Sequence, residues 1–132
     1  MTSQIDKANL SLLRAQNFIE ASKTKDAALM NNIIGGDFLF ATPRGTLFYR
    51  DDFFSDFVNN TRIKIDLFEI IEHRLIEFSG GVLLNGVIKI RFSGQPLQFE
   101  RVTFVMIEAE GDLKILSIQG TLTNDFREPV VE

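Results

Sequence analysis

Ile5, Ala8, Leu12, Ala15 and Ile19 recur at alternating spacings of three and four residues, which places them on one stripe of an α-helix. Thr2 or Ser3 offers the N-cap for this helix. Phe18 flanks the stripe, and Asp6, Arg14 and Asn17 fall on the far side. Leu10 also falls there, which marks that face for contact with a neighbouring element or a partner. Thr24 caps a second, shorter helix through Asp26, Ala27, Leu29, Met30 and Ile33, ended by Gly35-Gly36. Phe38, Phe40, Thr46 and Phe48 then alternate around Thr42-Pro43-Arg44-Gly45, a short strand pair across a turn. A third helix follows. Asp51 and Asp52 sit in its first turn, where the helix dipole favours carboxylates, Phe53, Phe54, Phe57 and Val58 form its buried face, and Asn59-Asn60 stops it.

From Arg62 onward the pattern changes to β-branched and aromatic residues, broken at Ser79-Gly80-Gly81, Ser93-Gly94-Gln95-Pro96 and Glu110-Gly111-Asp112. Four consecutive strands joined by hairpins result, each about 12 to 17 residues against a usual 5 or 6, so the sheet must twist and bend through bulges. In the second of them Val82, Leu84, Gly86, Ile88, Ile90 and Phe92 share a core face opposite Asn85, Lys89 and Arg91. In the third, Gln98, Glu100, Val102, Phe104 and Met106 alternate with Leu97, Phe99, Arg101, Thr103 and Val105, leaving both faces partly apolar. The simplest cover for the outer face is a second copy of the chain, giving a homodimer.

Composition narrows the chemistry by exclusion. The chain has 132 residues, ordinary apolar and charged fractions, a net charge of −4, one His and no Cys, which describes one globular domain without disulfides, thiolate nucleophiles or thiolate metal sites. No metal site or cofactor is expected. No basic run tracks a phosphate backbone, so nucleic acid is not an expected partner. No apolar stretch approaches the roughly 18 residues of a membrane span, and the N-terminus lacks the order of a secretory signal, so no membrane partner is expected and the compartment expected is the cytoplasm. The single domain covers 1–132, with a core over about 5–123 and a loosely held tail at 124–132. Thirteen Phe against one Tyr and no Trp put almost all the aromatic load on a ring without a polar handle. Those rings either fill the interior or line an apolar cavity.

The order of two helices, a short strand pair, a third helix and a four-strand meander resembles the nuclear transport factor 2-like superfamily, specifically its SnoaL-like branch. The local marks are Gly36-Asp37-Phe38 leading to Pro43-Arg44-Gly45, the Asp51-Asp52-Phe53-Phe54 helix start, Arg101-Val102-Thr103-Phe104-Val105, and Gly111-Asp112-Leu113-Lys114-Ile115 running to Gln119-Gly120-Thr121. The resemblance spans about Ile5 to Thr123. It implies an α+β fold of the cystatin-like kind: a conical barrel of three N-terminal helices packed on a strongly bent, mainly antiparallel sheet, with a pocket between the layers and commonly a homodimer. It does not assign chemistry. Ketosteroid isomerases carry a base carboxylate just before the turn proline, where this chain has Thr42, and a Tyr in the first helix, where it has none. Limonene epoxide hydrolase-like members bracket a sheet Arg with two carboxylates. Arg101 is present, but Thr103 follows it and Gln119 stands where an acid is sought. Many SnoaL-like chains have His at the position of Gln119.

The residues leave two functions open. In one, a mostly apolar pocket takes a small hydrophobic molecule with a carbonyl or carboxylate, held by Tyr49, Arg101, Thr103, Met106 and Gln119. His73, whose unperturbed pKa lies near neutrality, then carries the proton in cofactor-free isomerase, dehydratase or cyclase chemistry. In the other, the chain is a non-catalytic homodimeric binding or assembly module whose cone is plugged by Phe. Each candidate has a plainer role. His73 alternates with Ile63, Ile65, Leu67, Ile71 and Leu75, as a core or interface His does, and Glu69 shares its face one long step away. Arg101 fits an ion pair with a Glu. Gln119 and Thr121, placed on one face with Leu113, Ile115 and Ser117, fit hydrogen bonds to a neighbouring strand. Tyr49 fits a helix start, and Asp37 a turn bonding its own backbone.

Overall fold

The structure is a computed structural model that describes residues 6–126. Helix α1 (Lys7–Thr24) is capped by Asp6, whose carboxylate accepts from the Asn9 N–H at 3.2 Å. The expected caps Thr2 and Ser3, with Ile5, lie outside the described residues. Asp6 therefore belongs to the helix end and not to its far face, because a short carboxylate satisfies one of the free N–H groups there. The buried residues of α1 include Ser11, Ala15, Phe18 and Ser22, a stripe rotated from the one the apolar spacing marks. Both serines hide their hydroxyls by donating to the carbonyls of Ala8 and Phe18, at 2.9 and 2.8 Å. Small residues on that stripe let the helix lie close to the sheet, and Leu10 packs against the core instead of facing away.

Asp26, not Thr24, caps α2 (Ala27–Ile33), accepting from the Leu29 N–H at 3.0 Å, while the Thr24 hydroxyl donates to the Glu20 carbonyl. No turn follows α2. Strand β1 (Ile34–Ala41) starts at once, and Gly35 and Gly36 lie inside it where its register against β6 shifts. A turn with Gly45 at φ 85° leads to β2 (Leu47–Tyr49). Helix α3 (Arg50–Phe53) continues as a single π-helical turn over Phe54–Val58, closed by the Asn59 N–H donating to the Phe54 carbonyl at 2.8 Å. Phe53 and Val58 are buried, and Phe54 and Phe57 pack against the same core.

The four long strands are β3 (Ile65–Phe78), β4 (Gly81–Phe92), β5 (Gln98–Ala109) and β6 (Asp112–Leu122), of 14, 12, 12 and 11 residues. The sheet order is β2-β1-β6-β5-β4-β3, antiparallel except where β1 runs parallel to β6. Its bending is visible in bulges between Ile70 and Glu72 of β3 and opposite Val105/Met106, where Leu116 of β6 is the extra residue. At Gly86 a Cβ would collide with the Glu72 carbonyl oxygen, so the close approach of β3 to β4 at that bend requires glycine.

The inner face of the sheet packs on the helices. Val82, Leu84, Ile88 and Ile90 of β4 are buried there, as the alternation predicts, with Val102, Phe104 and Met106 of β5. Arg14 ties α1 to the β5–β6 hairpin through the Asp112 carboxylate at 2.6 Å and the Leu113 carbonyl at 3.0 Å. Burial alone would push the Asp112 carboxyl up, but the Arg14 guanidinium, the Leu113 N–H and Lys114 together hold it below its ordinary value. Among the described residues no helix is long and apolar enough to cross a membrane.

Candidate functional site

The interior between helices and sheet is occupied by phenylalanine. Phe53 is completely buried and its ring meets those of Phe18, Phe38, Phe40, Phe54 and Phe57 with centroids 5.0 to 6.2 Å apart. Phe48 joins through Phe40, and Phe104 of the sheet meets Phe18 edge-on at 5.9 Å. Eight of the chain's 13 Phe residues form this connected set. Offset and edge-on packing at such separations is favourable beyond area burial alone.

Cross-strand register decides which side each polar candidate takes, because directly paired residues share a face. Three of the rows that cross the outer face hold the polar candidates or adjoin them. The first joins Ile76, Leu83, Val105, Ser117, Leu39 and Tyr49 through all six strands. It is apolar but for Ser117 and the Tyr49 hydroxyl, and Ile76 and Tyr49 at its ends are 57% and 61% exposed. The second joins Arg74, Asn85, Thr103, Gln119, Ala41 and Leu47. The third joins Glu72, Val87, Arg101 and Thr121.

The structure thus brings Arg101, Thr103 and Gln119 together, with Asn85 and Thr121, around an open hollow of about 440 Å³ on this outer face. Tyr49 lies on the same face at the far end of the apolar row. Met106 does not join them: it is fully buried on the inner face between Val82 and Ile115. His73 is exposed on the edge strand β3, paired with Gly86 and therefore facing the inner side. The bulge at Ile71 reverses the alternation of β3, so His73 and Glu69 stand on opposite faces, contrary to the uninterrupted period. The extra Leu116 does the same in β6, separating Leu113 and Ile115 from Ser117, Gln119 and Thr121.

Arg101 is heavily engaged. Its Nη1 donates to Asn85 Oδ1 at 3.1 Å, and its Nη2 to Glu72 Oε2 at 3.2 Å and to the Asp125 carbonyl at 2.6 Å. The Asn85 amide donates in turn to Thr103 Oγ1 at 3.0 Å. The charge-assisted pair with Glu72 flanks fully buried Val87, which is paired with both residues across the sheet. Asp125 comes from the tail, where the Thr123 N–H donates to the Phe99 carbonyl and Phe126 stacks on Phe99 at 4.4 Å. Residues 124–126 are therefore tied to the outer face, and 127–132 lie outside the described residues.

Two further groups bear on chemistry. Glu100 lies on the inner face of β5, and a Cβ on Gly120 would come within 2.9 Å of its Oε1 and 3.7 Å of Pro43. Burial pushes its carboxyl above the ordinary value. It escapes notice among sequence candidates although its place in the core parity of β5 is the signal for it. A second hollow, beside α2 and α3, is crossed by Arg50, which donates to the Gly35 carbonyl at 3.2 Å and to Asn31, with its guanidinium 5.0 Å from the Phe54 ring. Among the described residues no group of three or more His, Asp or Glu side chains is arranged to hold a metal ion.

No protein-family model matches the chain, and no curated protein does. Solved structures do. An NTF2-like protein from Cytophaga hutchinsonii is 14% identical with a TM-score of 0.83, covering 90% of this chain and 100% of its own. A protein from Exiguobacterium sibiricum, whose name refers to a Ca/calmodulin-dependent kinase II association domain, is 15% identical with a TM-score of 0.82, covering 96% and 100%. The S. rosetta CaMKII hub is 12% identical with a TM-score of 0.75, covering 92% and 100%. At these identities the likeness is one of fold, and the fold of this chain is the NTF2-like α+β cone.

Proposed function

We propose that the chain is a non-catalytic assembly module that pairs with a second copy through the outer face of its sheet. The observation that carries this is the phenylalanine stack, which occupies the space where a ligand cavity would have to lie. Close-packed interiors leave no room for a substrate. The outer face supports the rest. Six strands at about 4.8 Å and lengths of 11 to 14 residues in the four long ones give it an extent that can bury about 800 Å² per partner. The apolar row supplies a surface fit for pairing. Two of the structural neighbours are named as an association domain and a hub, which favours assembly over chemistry.

Cofactor-free catalysis from His73 has less support, since Arg101, Thr103 and Gln119 occupy the other side of the sheet. We propose that the chain is of the SnoaL-like branch, on the order of its marks from Gly36-Asp37-Phe38 to Gln119-Gly120-Thr121, and that its compartment is the cytoplasm, in keeping with the absence of Cys. Sedimentation at micromolar concentration tests the assembly. The wild-type mass is expected to be that of two or more chains, and Ile76→Lys with Leu39→Lys to reduce it to one while leaving the circular dichroism unchanged. A wild-type mass of one chain overturns the proposal.

A further inference from the structure

Two features lie side by side on the outer face. One is the hollow of about 440 Å³ lined by Asn85, Arg101, Thr103, Gln119 and Thr121. The other is a ridge. After β6 the chain turns up onto the sheet, where the Asp125 N–H donates to Thr123 Oγ1 at 3.0 Å and the Asp125 carbonyl accepts from Arg101 Nη2 at 2.6 Å. The Phe126 ring then stacks on Phe99 at 4.4 Å. Phe99 and Arg101 face outward two residues apart on β5, so residues 124–126 ride over that strand, with Asn124 and Asp125 exposed. Arg101 belongs to both features, lining the hollow and holding the ridge.

The ridge lies on the ground that pairing needs. Six strands at about 4.8 Å make a row about 29 Å long, and successive rows lie about 7 Å apart, two residues along the strand. Taken flat, about 800 Å² per partner takes about four such rows. Toward the β3–β4 hairpin only the row of Gly81 and Ile107 lies beyond the apolar row of Leu83 and Val105. Any four successive rows that include the apolar one therefore include that of Arg101. Packed sheets stand about 10 Å apart, a gap filled by the side chains of both, so a flat partner face would strike the ridge before it reached the apolar row. A depression in the partner removes the obstacle, and each copy carries one. With a two-fold axis lying in the interface between ridge and hollow, the ridge of each copy meets the hollow of the other.

The chemistry of the two features agrees with this fit. Neutral amides and hydroxyls both donate and accept, and among the described residues the side chains of Gln119 and Thr121 make no hydrogen bond. The side chains of Asn124 and Asp125 make none either, since Asp125 is held through its backbone alone. A purely apolar contact would leave all four unmatched.

We infer that residues 124–126 of each copy seat in the hollow of the other, with Asn124 and Asp125 against Thr103, Gln119 and Thr121. The inference rests on the proposed pairing through this face and adds to it the segment of the second copy that completes the hollow.

Two full-length variants and their mixture test this. Gln119→Trp fills the hollow from an exposed position and is expected to weaken association about tenfold or more in sedimentation, with the circular dichroism unchanged. Asn124→Ala with Asp125→Ala lowers the ridge, keeps the carbonyl bonded to Arg101, and is expected to weaken association severalfold. In a mixed pair the filled hollow faces the lowered ridge, while the intact ridge of the Gln119→Trp chain enters an intact hollow. The natural chain has no Trp, so tryptophan absorbance follows the Gln119→Trp chain alone. That chain is expected to sediment as a pair in the mixture at concentrations where by itself it is single. A Gln119→Trp chain that stays single in the mixture, or wild-type association in either variant, overturns the inference and leaves the pairing proposal to Ile76→Lys with Leu39→Lys. A wild type that sediments as one chain overturns both.

Discussion

The two faces of β5 are built from alternate residues of the same twelve, yet they live in opposite surroundings. Glu100, Val102, Phe104 and Met106 look inward, where the last three are buried. Phe99, Arg101, Thr103 and Val105 look outward and remain partly exposed. The inner side is held by area and shape, rings in contact with rings, and its polar residues Gln98, Glu100 and Glu108 lie toward the two ends of the strand. The outer side is held by directed bonds in which Arg101 satisfies Asn85, Glu72 and the tail. The lesson is that stability and specificity sit on opposite sides of one sheet. Substitutions inside should cost folding, and substitutions outside should cost association or binding.

The sharpest break in that contrast is Phe53→Ala. Phe53 is fully buried and touches five other rings, so its removal leaves a cavity that its neighbours cannot all collapse into. Chemical denaturation should show a loss of about 3–5 kcal/mol. A loss below about 1 kcal/mol, the range of ordinary surface changes, would mean that the interior is loose enough to admit a ligand, and the ligand-pocket alternative would regain its footing.

How far the sequence discloses these faces depends on whether the period of the strand survives. Along β4 nothing interrupts it, and Val82, Leu84, Ile88 and Ile90 are all legible as core. In β3 the extra residues Asp66 and Ile71, and in β6 the extra residue Leu116, each shift the side chains that follow to the other face, and a bulge carries no mark in composition. The grouping of His73 with Glu69, and of Gln119 with Leu113, fails for that reason. Helix α1 hides its buried stripe differently, since Ser11 and Ser22 read as surface residues until their hydroxyls are seen to bond their own helix. The hollow around Arg101 is assembled from three strands, and only their register brings Asn85, Thr103 and Gln119 within reach of one another.

Glu100 is an inner-face carboxylate that burial perturbs, so it sharpens the contrast through pH. Burial raises its folded pKa above the ordinary value of 4.5, which means the folded chain holds that proton more tightly than the unfolded chain. Stability from this group is therefore full below the unfolded value and is lost as pH rises through the raised folded one. Glu100→Gln, which keeps the shape and cannot ionise, should be more stable than wild type above that window and lose the advantage below it. Melting temperatures across the acid range check this. Parallel curves for the two proteins would show that Glu100 ionises freely in water, and that the cone is open at that point.

The smallest expected effect on folding belongs to the outer face. Tyr49 ends the apolar row and is 61% exposed. It offers its α3 no side-chain capping bond, so Tyr49→Ser should change unfolding free energy by no more than about 0.5 kcal/mol. Its effect should appear in association, because truncating an exposed aromatic at the end of a buried row removes contact area from the paired state alone. Denaturation at protein concentrations well below the dissociation constant of the pair, followed by sedimentation above it, separates the two terms. Should Tyr49→Ser melt early as a single chain while its assembly is undisturbed, the division of labour between the faces would be reversed at this end of the sheet, and the interface would have to be sought away from β2.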